Sequence, residues 1–224
     1  MDYVSLTKTN RLFWLGRYNE RVLSITRYMM YWYDRMIDNS AIDHVDYCNR
    51  VGIPCEYSDP GSFMQIYLFD KENSYSLRHA AEEMLGNGMV LRETISSKTL
   101  AYLQMAVNAL ELANNDSAPG VELQWVVDDV MAFRGSFDDF IEEELIRNII
   151  KTGISIERLS LYLRLEYNLE SMPKEMKKMM NRLRKSGLET NAMSLGVIDM
   201  YRGDQSENVS REELLRAVES LVVV

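Results

Sequence analysis

The sequence predicts an all-α protein, a helical bundle in which two long helices carry a repeated motif. Three observations support this fold class. Long stretches place apolar residues at three- and four-residue steps, which is the spacing of one face of a helix. Only four prolines occur in the 224 residues, and all four fall where the helical pattern breaks. No pair of alternating apolar runs is joined by a tight turn, so a β-sheet has little support.

The first half of the chain is predicted to hold long helices around one irregular excursion. The first helix should cover about 10–38, because apolar residues at 18, 22, 25, 29, 32 and 36 share one face. Residues 39–70 contain Pro54 and Pro60 and should be irregular, with a short helix near 43–50. Helical pattern then continues from about 73 to 112. The glycines Gly86 and Gly88 are expected to kink or divide that helix.

The segment NNDSAPG is the clearest loop in the sequence. It covers 114–120 and joins possible halves 1–113 and 121–224 of a single domain that spans 1–224. The second half is predicted to contain a helix from 121 to a break at Gly135 and a long helix over 138–170. A helix from Pro173 to Gly187 and another over 188–202 should follow. Ser210 and Glu213 have the spacing of a capping box and should begin a last helix.

Composition and charge exclude several classes of function. The formal charge of 25 − 34 = −9 argues against a general nucleic-acid coat, which needs a basic face to neutralise phosphates. No apolar run approaches the roughly 20 residues of a membrane span. The first residues lack the basic and apolar regions of a secretory signal. Cys48 and Cys55 cannot form a disulfide framework, so a cytoplasmic protein with reduced thiols is predicted.

No metal or cofactor is predicted from the motifs. Neither His44 nor His79 follows a glutamate by three residues, as histidines of di-iron bundles do, and His79 lacks a finger-like spacing for zinc. A phosphate loop of the type G-x-x-x-x-G-K-[ST] is missing. The acidic pairs Asp128-Asp129 and Asp138-Asp139 are interpreted as solvated or placed near helix N-termini, with magnesium binding at Asp138-Asp139 as the less favoured alternative.

A Glu-Arg dipeptide occurs twice, and its surroundings repeat. Each copy follows a glycine by four residues and precedes an arginine by six. The copies are Gly16, Glu20, Arg21 and Arg27, and Gly153, Glu157, Arg158 and Arg164. The shared pattern is G-x-x-x-E-R-x-x-x-x-x-R, with an offset of 157 − 20 = 137 residues. We interpret it as an internal pseudo-repeat of two long helices.

The repeated pattern predicts a buried polar cluster. Glycine removes side-chain bulk, so a second backbone can approach where the glutamate and arginine project. The second copy is flanked by apolar residues on both sides, so its helix should be central. Buried charges persist only when they are paired. Glu20 and Glu157 should therefore face arginines across a pseudo-twofold axis. Such pairs either register the helices only, or line a pocket for an anionic or peptide-like ligand.

Three blocks of sequence resemble a known family. RLFWLGRYNERVLSITRYM resembles the opening of the alpha-E family, an all-helical domain named for its Glu-Arg motif. AFRGSFDD followed by RNIIKTGISIERLSLYLRL is similar to the second block of that family, and ENSYSLRHAAEEMLGNGMVLRETISS to its middle block. Together they cover most of 11–165. Met84, Leu85 and Gly86 replace an Ala-Arg-Glu run before Asn87, and Ile154 and Ser155 stand where arginines often follow the glycine.

The resemblance implies partners more than it implies a reaction. Alpha-E proteins are typically encoded beside, or fused to, a circularly permuted ATP-grasp protein and a transglutaminase-like cysteine peptidase. ATP-grasp proteins join a carboxylate to an amine through an acyl-phosphate. The resemblance therefore implies a component of an ATP-grasp-linked system that modifies peptides or forms amide bonds. It leaves open whether the chain is a catalyst, a substrate holder or a scaffold; an independent hydrolase or ligase is a further alternative.

The candidate site consists of the two motif glutamates and a set of arginines. Glu20 and Glu157 are the candidate catalytic residues, either of which could act as a general base if burial raises its pKa. The arginines, which would bind carboxylate or phosphate groups, are Arg17, Arg21, Arg27, Arg78, Arg92, Arg158 and Arg164. A non-catalytic helical scaffold or adaptor is the alternative. Residues 172–187 carry six basic residues and one acid, and are interpreted as a docking helix for an acidic partner or as a solvated face.

Overall fold

Eleven α-helices make up most of the computed structural model, which describes residues 5–37, 43–116, 119–203 and 206–223. The helices are α1 (Leu6–Ile37), α2 (His44–Val51), α3 (Pro60–Phe69), α4 (Leu77–Val90), α5 (Arg92–Ile95), α6 (Ser97–Asn114), α7 (Gly120–Phe140), α8 (Glu144–Leu165), α9 (Met172–Ser186), α10 (Ala192–Arg202) and α11 (Arg211–Glu219). The described residues contain no strand beyond an isolated bridge between Thr190 and Val222. The predicted all-α class is confirmed.

The chain divides into two compact units. The terminal unit comprises Met1–Arg17 and Glu143–Val224. Its centre is α8, in which 15 of 22 residues are buried, so polar side chains on this helix need internal partners. The helices α9 and α11 pack against α8, and α10 packs against α11. The buried position of α8 agrees with its apolar flanks in the sequence.

The internal unit comprises Tyr18–Glu142. The helices α6 and α7 form a long hairpin, and α4 packs against α6. The helix α3 also packs against α4 and α6, and α2 and α3 join α1 through a cluster of aromatic rings. Trp32, Tyr47 and Phe63 lie in contact there, with ring centroids 5.2–6.0 Å apart. This cluster gives the unit a second apolar centre beside the α6–α7 hairpin.

The helix α3 corrects one prediction. Residues 39–70 were expected to be irregular apart from a short helix, which is confirmed as α2, whereas 38–42 lie outside the described residues. Pro60 is tolerated because it occupies the first turn of α3, where its missing N–H removes no helical hydrogen bond. Asp59 caps the helix by accepting from the backbone N–H of Ser62. The expectation of irregular chain around Pro60 is therefore wrong.

Two glycines also act differently from the prediction. The predicted break at Gly135 is wrong, because α7 runs through Gly135 to Phe140 and ends before the extended residue Ile141. The helix that follows begins at Glu144, six residues later than expected, and ends at Leu165. A mid-helix glycine costs about 1 kcal/mol, which the buried apolar face of α7 outweighs. Gly86 likewise lies inside α4.

None of the described helices is both long enough and apolar enough to cross a bilayer.

Candidate functional site

The glycines of the two Glu-Arg motifs bring α1 and α8 into backbone contact within the terminal unit. A Cβ atom added to Gly16 would overlap the carbonyl oxygen of Ile150, and one added to Gly153 would overlap that of Phe13. Each added Cβ would also lie 3.1 Å from the backbone nitrogen that follows the other glycine. The two contacts are thus reciprocal. Glycine is required at both positions because any side chain would separate the helices.

Next to this crossing, Glu157 of α8 pairs with Arg17 of α1. The Arg17 Nε donates to the Glu157 Oε2 over 2.7 Å, and the two side chains are 11% and 3% exposed. The Arg17 guanidinium also lies over the Trp14 ring, 5.2 Å from its centroid. A buried carboxylate needs such a partner, since an unpaired charge there would be strongly unfavourable. The prediction that Glu157 is buried against an arginine is confirmed.

In the internal unit, Glu20 of α1 pairs with Arg134 of α7. The Arg134 Nη2 donates to the Glu20 Oε2 over 2.7 Å, and its Nε donates to the Oδ1 of Asn19 over the same distance. The Ser24 hydroxyl donates to the other Glu20 oxygen over 2.8 Å. Glu20 is only 2% exposed, so the expected burial against an arginine is confirmed. The partner, however, is Arg134, which the sequence did not single out.

The remaining arginines of the second motif point to other helices of the terminal unit. Arg158 donates to Glu175 of α9 over 3.1 Å. Arg164 donates from both Nε and Nη2 to Glu219 of α11, over 2.9 and 2.7 Å, and the Ser160 hydroxyl donates to the same oxygen over 2.6 Å. These pairs connect α8 to α9 and α11, and the arginines therefore serve different helix contacts.

The other predicted ligand-binding arginines lie at separate places in the internal unit. The Arg21 guanidinium lies over the Tyr18 ring, 5.5 Å from its centroid, and Arg27 is exposed. Arg78 of α4 pairs with Glu82 and with Glu111 of α6, at 2.8 and 2.7 Å. The exposed Arg92 pairs with its neighbour Glu93. The binding and catalytic roles assigned to all these residues stay predictions.

Three partners in these ion pairs could not be identified from the motifs. Arg134 lies in the AFRGSFDD block, but no spacing in that block points to Glu20. Glu175 was the single acid in a basic helix, which was a usable signal for an internal pair. Glu219 lies 55 residues beyond Arg164 and has no local signature. Within the described ranges, no group of three or more His, Cys, Asp or Glu side chains is arranged to hold a metal ion.

The ion pairs of Glu175 should make the free energy of unfolding depend on pH. Burial opposes its charge, but the hydrogen bonds from Lys178 and Arg158 outweigh burial and lower the pKa of Glu175 from its ordinary 4.5. A lowered folded-state pKa means that the stabilisation is present above pH 4.5 and is lost as the pH falls through the folded-state value. Urea unfolding at a series of acidic pH values should therefore show a shallower pH dependence for Glu175→Gln than for the wild type.

The exposed Glu189 provides the matched control for this experiment. Glu189→Gln removes one carboxylate of the same unit without breaking an ion pair to α8, so it controls for the change in net charge alone. If Glu175→Gln and Glu189→Gln have the same slope below pH 4.5, the proposed linkage at Glu175 is wrong.

No match to this chain is found among curated proteins or among solved structures. A family model does match, and it covers residues 8–220, so the match extends through the basic helix α9 and beyond the blocks that carry the sequence resemblance. That family is described as a predicted alpha-helical domain with a conserved ER motif, and the protein belongs to it: it is an Alpha-E domain.

Proposed function

We propose that the chain is a component of an ATP-grasp-linked system that modifies peptides or forms amide bonds, and that Arg17, in the terminal unit, binds an anionic or peptide-like ligand. Membership of the Alpha-E family supports the first part of this proposal. Its partners would be a circularly permuted ATP-grasp protein and a transglutaminase-like peptidase.

The Arg17–Glu157 pair is the observation that supports a ligand site. The pair engages the Arg17 Nε, and a guanidinium has further N–H donors in a planar fork suited to carboxylate or phosphate. The buried Glu157 fixes this fork in place, so little side-chain entropy would be lost when a ligand binds. In this proposal Glu157 is the candidate general base of the site, and Arg17 positions the anionic group of the ligand.

The reciprocal contact of Gly16 and Gly153 supports a further part of the proposal. Each glycine meets the backbone of the other helix at the same relative positions. Two copies of one helical element, related by a pseudo-twofold axis, would produce such matching contacts. We therefore propose that the two motifs are pseudo-repeats and that the ligand site lies in the terminal unit, beside the contact of Gly16 and Gly153.

A non-catalytic scaffold is the second candidate, and a specific observation favours it. Among the described residues, every buried side-chain nitrogen and oxygen already has a hydrogen-bond partner. Glu20 and Glu157 are each only 2% exposed. A fully satisfied and buried network is also what helix registration alone would need. The two candidates differ in whether Arg17 acts on product formation or only on folding.

Arg17→Lys separates the two candidates. Lysine keeps the positive charge beside Glu157 but cannot form the planar fork. We combine the chain with the ATP-grasp protein and the peptidase, and measure modified peptide by mass spectrometry. The expected result is a loss of product of about tenfold or more, as for one charge-assisted hydrogen bond, with the variant still folded. Arg202→Lys is the control, because Arg202 is an exposed residue of α10 paired with Asp199.

Each failure of this experiment identifies a different error. If Arg17→Lys gives the same amount of product as the wild type, the ligand site is wrong and the scaffold is favoured. If the partners form the same amount of product without the chain, its role in the system is wrong. A thermal unfolding curve of each variant shows whether a loss of product reflects unfolding.

A further inference from the structure

The outer face of the α6–α7 hairpin contains a cleft that the Glu-Arg motifs do not use. It has a volume of about 320 Å³ and lies entirely within the internal unit. Met105 and Leu112 of α6 form one wall, and Trp125, Asp128 and Asp129 of α7 form the other. A small apolar cleft with a few polar groups is the usual form of a binding site.

The walls of the cleft expose large apolar side chains. Met105, Leu112 and Trp125 are 48%, 54% and 46% exposed. Met105 and Leu112 are seven residues apart, so they project two turns apart along one face of α6. Neighbouring apolar side chains of this size mark an interaction site more often than a lone exposed residue does. Methionine and tryptophan are also well suited to irregular partner surfaces.

Two carboxylates make the cleft negative. Asp128 and Asp129 follow Trp125 by three and four residues, so all three side chains share one face of α7. Asp128 accepts a hydrogen bond from Gln124. Among the described residues, neither carboxylate has a Lys or Arg partner. Burial, followed by the charge of Asp128, raises the pKa of Asp129. A cation placed beside these groups would relieve this repulsion.

From this arrangement we infer that the α6–α7 cleft binds a basic amphipathic helix of a partner protein. A lysine or arginine of that helix would lie between the Trp125 ring and the two carboxylates, where a cation–π contact and an ion pair act together. Leucine-like side chains one turn away would cover Met105 and Leu112. This is the helix-in-groove mode of recognition, with charge complementarity fixing the orientation.

A second copy of this chain fits the cleft less well. Its own basic helix is α9, whose exposed residues include Lys174, Lys177 and Arg184. Most apolar residues of that helix, Met176 and Met179 among them, are buried against its own unit. It could therefore offer charge to the cleft but little apolar surface to Met105 or Leu112. The inference is independent of the proposed Glu-Arg ligand site, which involves neither α6 nor these residues.

The experiment uses the full chain and a short fluorescent helical peptide built from leucine and lysine. Binding is measured by fluorescence anisotropy at physiological salt, and the same peptide with glutamate in place of lysine is the probe control. Trp125→Ala and the double variant Asp128→Asn, Asp129→Asn each remove one part of the site. We expect each to weaken binding about tenfold or more, the size of a hot-spot contact.

The matched control is the double variant Asp138→Asn, Asp139→Asn. These two residues are exposed, lie on the same helix and change the net charge by the same amount, but they do not line the cleft. Binding should stay within about twofold of the wild type, because a charge outside the contact adds little at this ionic strength. A thermal unfolding curve confirms that each variant is folded.

Three results would overturn the inference. Equal losses in the two double variants would show attraction to the net negative charge alone. Similar binding of the glutamate peptide would show that charge has no part. Concentration-dependent dimerisation that Trp125→Ala abolishes, measured by analytical ultracentrifugation, would assign the cleft to a second copy of this chain instead.

Discussion

Glu157→Ala is expected to lower the free energy of unfolding by about 3–5 kcal/mol, the typical cost of removing one partner of a buried ion pair. The variant leaves the Arg17 guanidinium in a position where its side chain is only 11% exposed. Water cannot easily replace the lost carboxylate there, so most of the penalty is the unpaired charge. Urea denaturation, with the slope of the transition checked for two-state behaviour, measures this difference directly.

A double variant shows that the penalty comes from the unpaired charge. Arg17→Met with Glu157→Met removes both charges and keeps apolar volume, so it should be more stable than Glu157→Ala alone. Asp199→Ala is the control at an exposed ion pair, where the side chains of Arg202 and Asp199 are 38% and 56% exposed. It should cost less than about 1 kcal/mol. A loss below about 1 kcal/mol for Glu157→Ala would contradict a buried pair.

Helix content could be predicted because periodic apolar residues report directly on a buried face. The predictions failed where a single residue type was given a fixed meaning. Pro60 begins α3 instead of ending a helix, because its effect depends on whether it occupies the first turn. Gly135 interrupts nothing, because burial of Phe133 and Phe137 outweighs its low helix propensity. Position within the helix therefore decided the case of Pro60, and tertiary burial decided that of Gly135.

The candidate site was predictable in part for a related reason. The spacing of Gly153 and Glu157 on one helix predicted a close approach beside a buried charge, and both lie on the buried side of α8. The spacing could not identify partners on other helices. Arg27 and Arg164 hold the same position in their motifs, yet Arg27 is exposed and Arg164 pairs with Glu219. Matching positions in sequence do not ensure matching surroundings, which depend on the neighbouring helices.

Gly16→Ala and Gly153→Ala are each expected to destabilise the protein by about 1–3 kcal/mol or more, the range for overpacking a well-filled contact. The reason is the backbone of the opposite helix. An alanine Cβ at either position would overlap a carbonyl oxygen, of Ile150 or of Phe13, and a backbone atom cannot move aside as a flexible side chain can. Relief requires α1 and α8 to separate, which also lengthens the Arg17–Glu157 hydrogen bond.

Gly135→Ala is the matched control for the close contact of α1 and α8. Gly135 lies within α7, is exposed, and has no atom within 4 Å of an added Cβ. The same substitution should therefore stabilise the protein there, by about 0.5–1 kcal/mol, because alanine favours a helix more than glycine does. A lower free energy of unfolding for Gly16→Ala together with a higher one for Gly135→Ala would separate the effect of backbone contact from that of helix propensity. If thermal unfolding instead shows Gly16→Ala and Gly153→Ala to be neutral or stabilising, the close crossing of α1 and α8 is wrong.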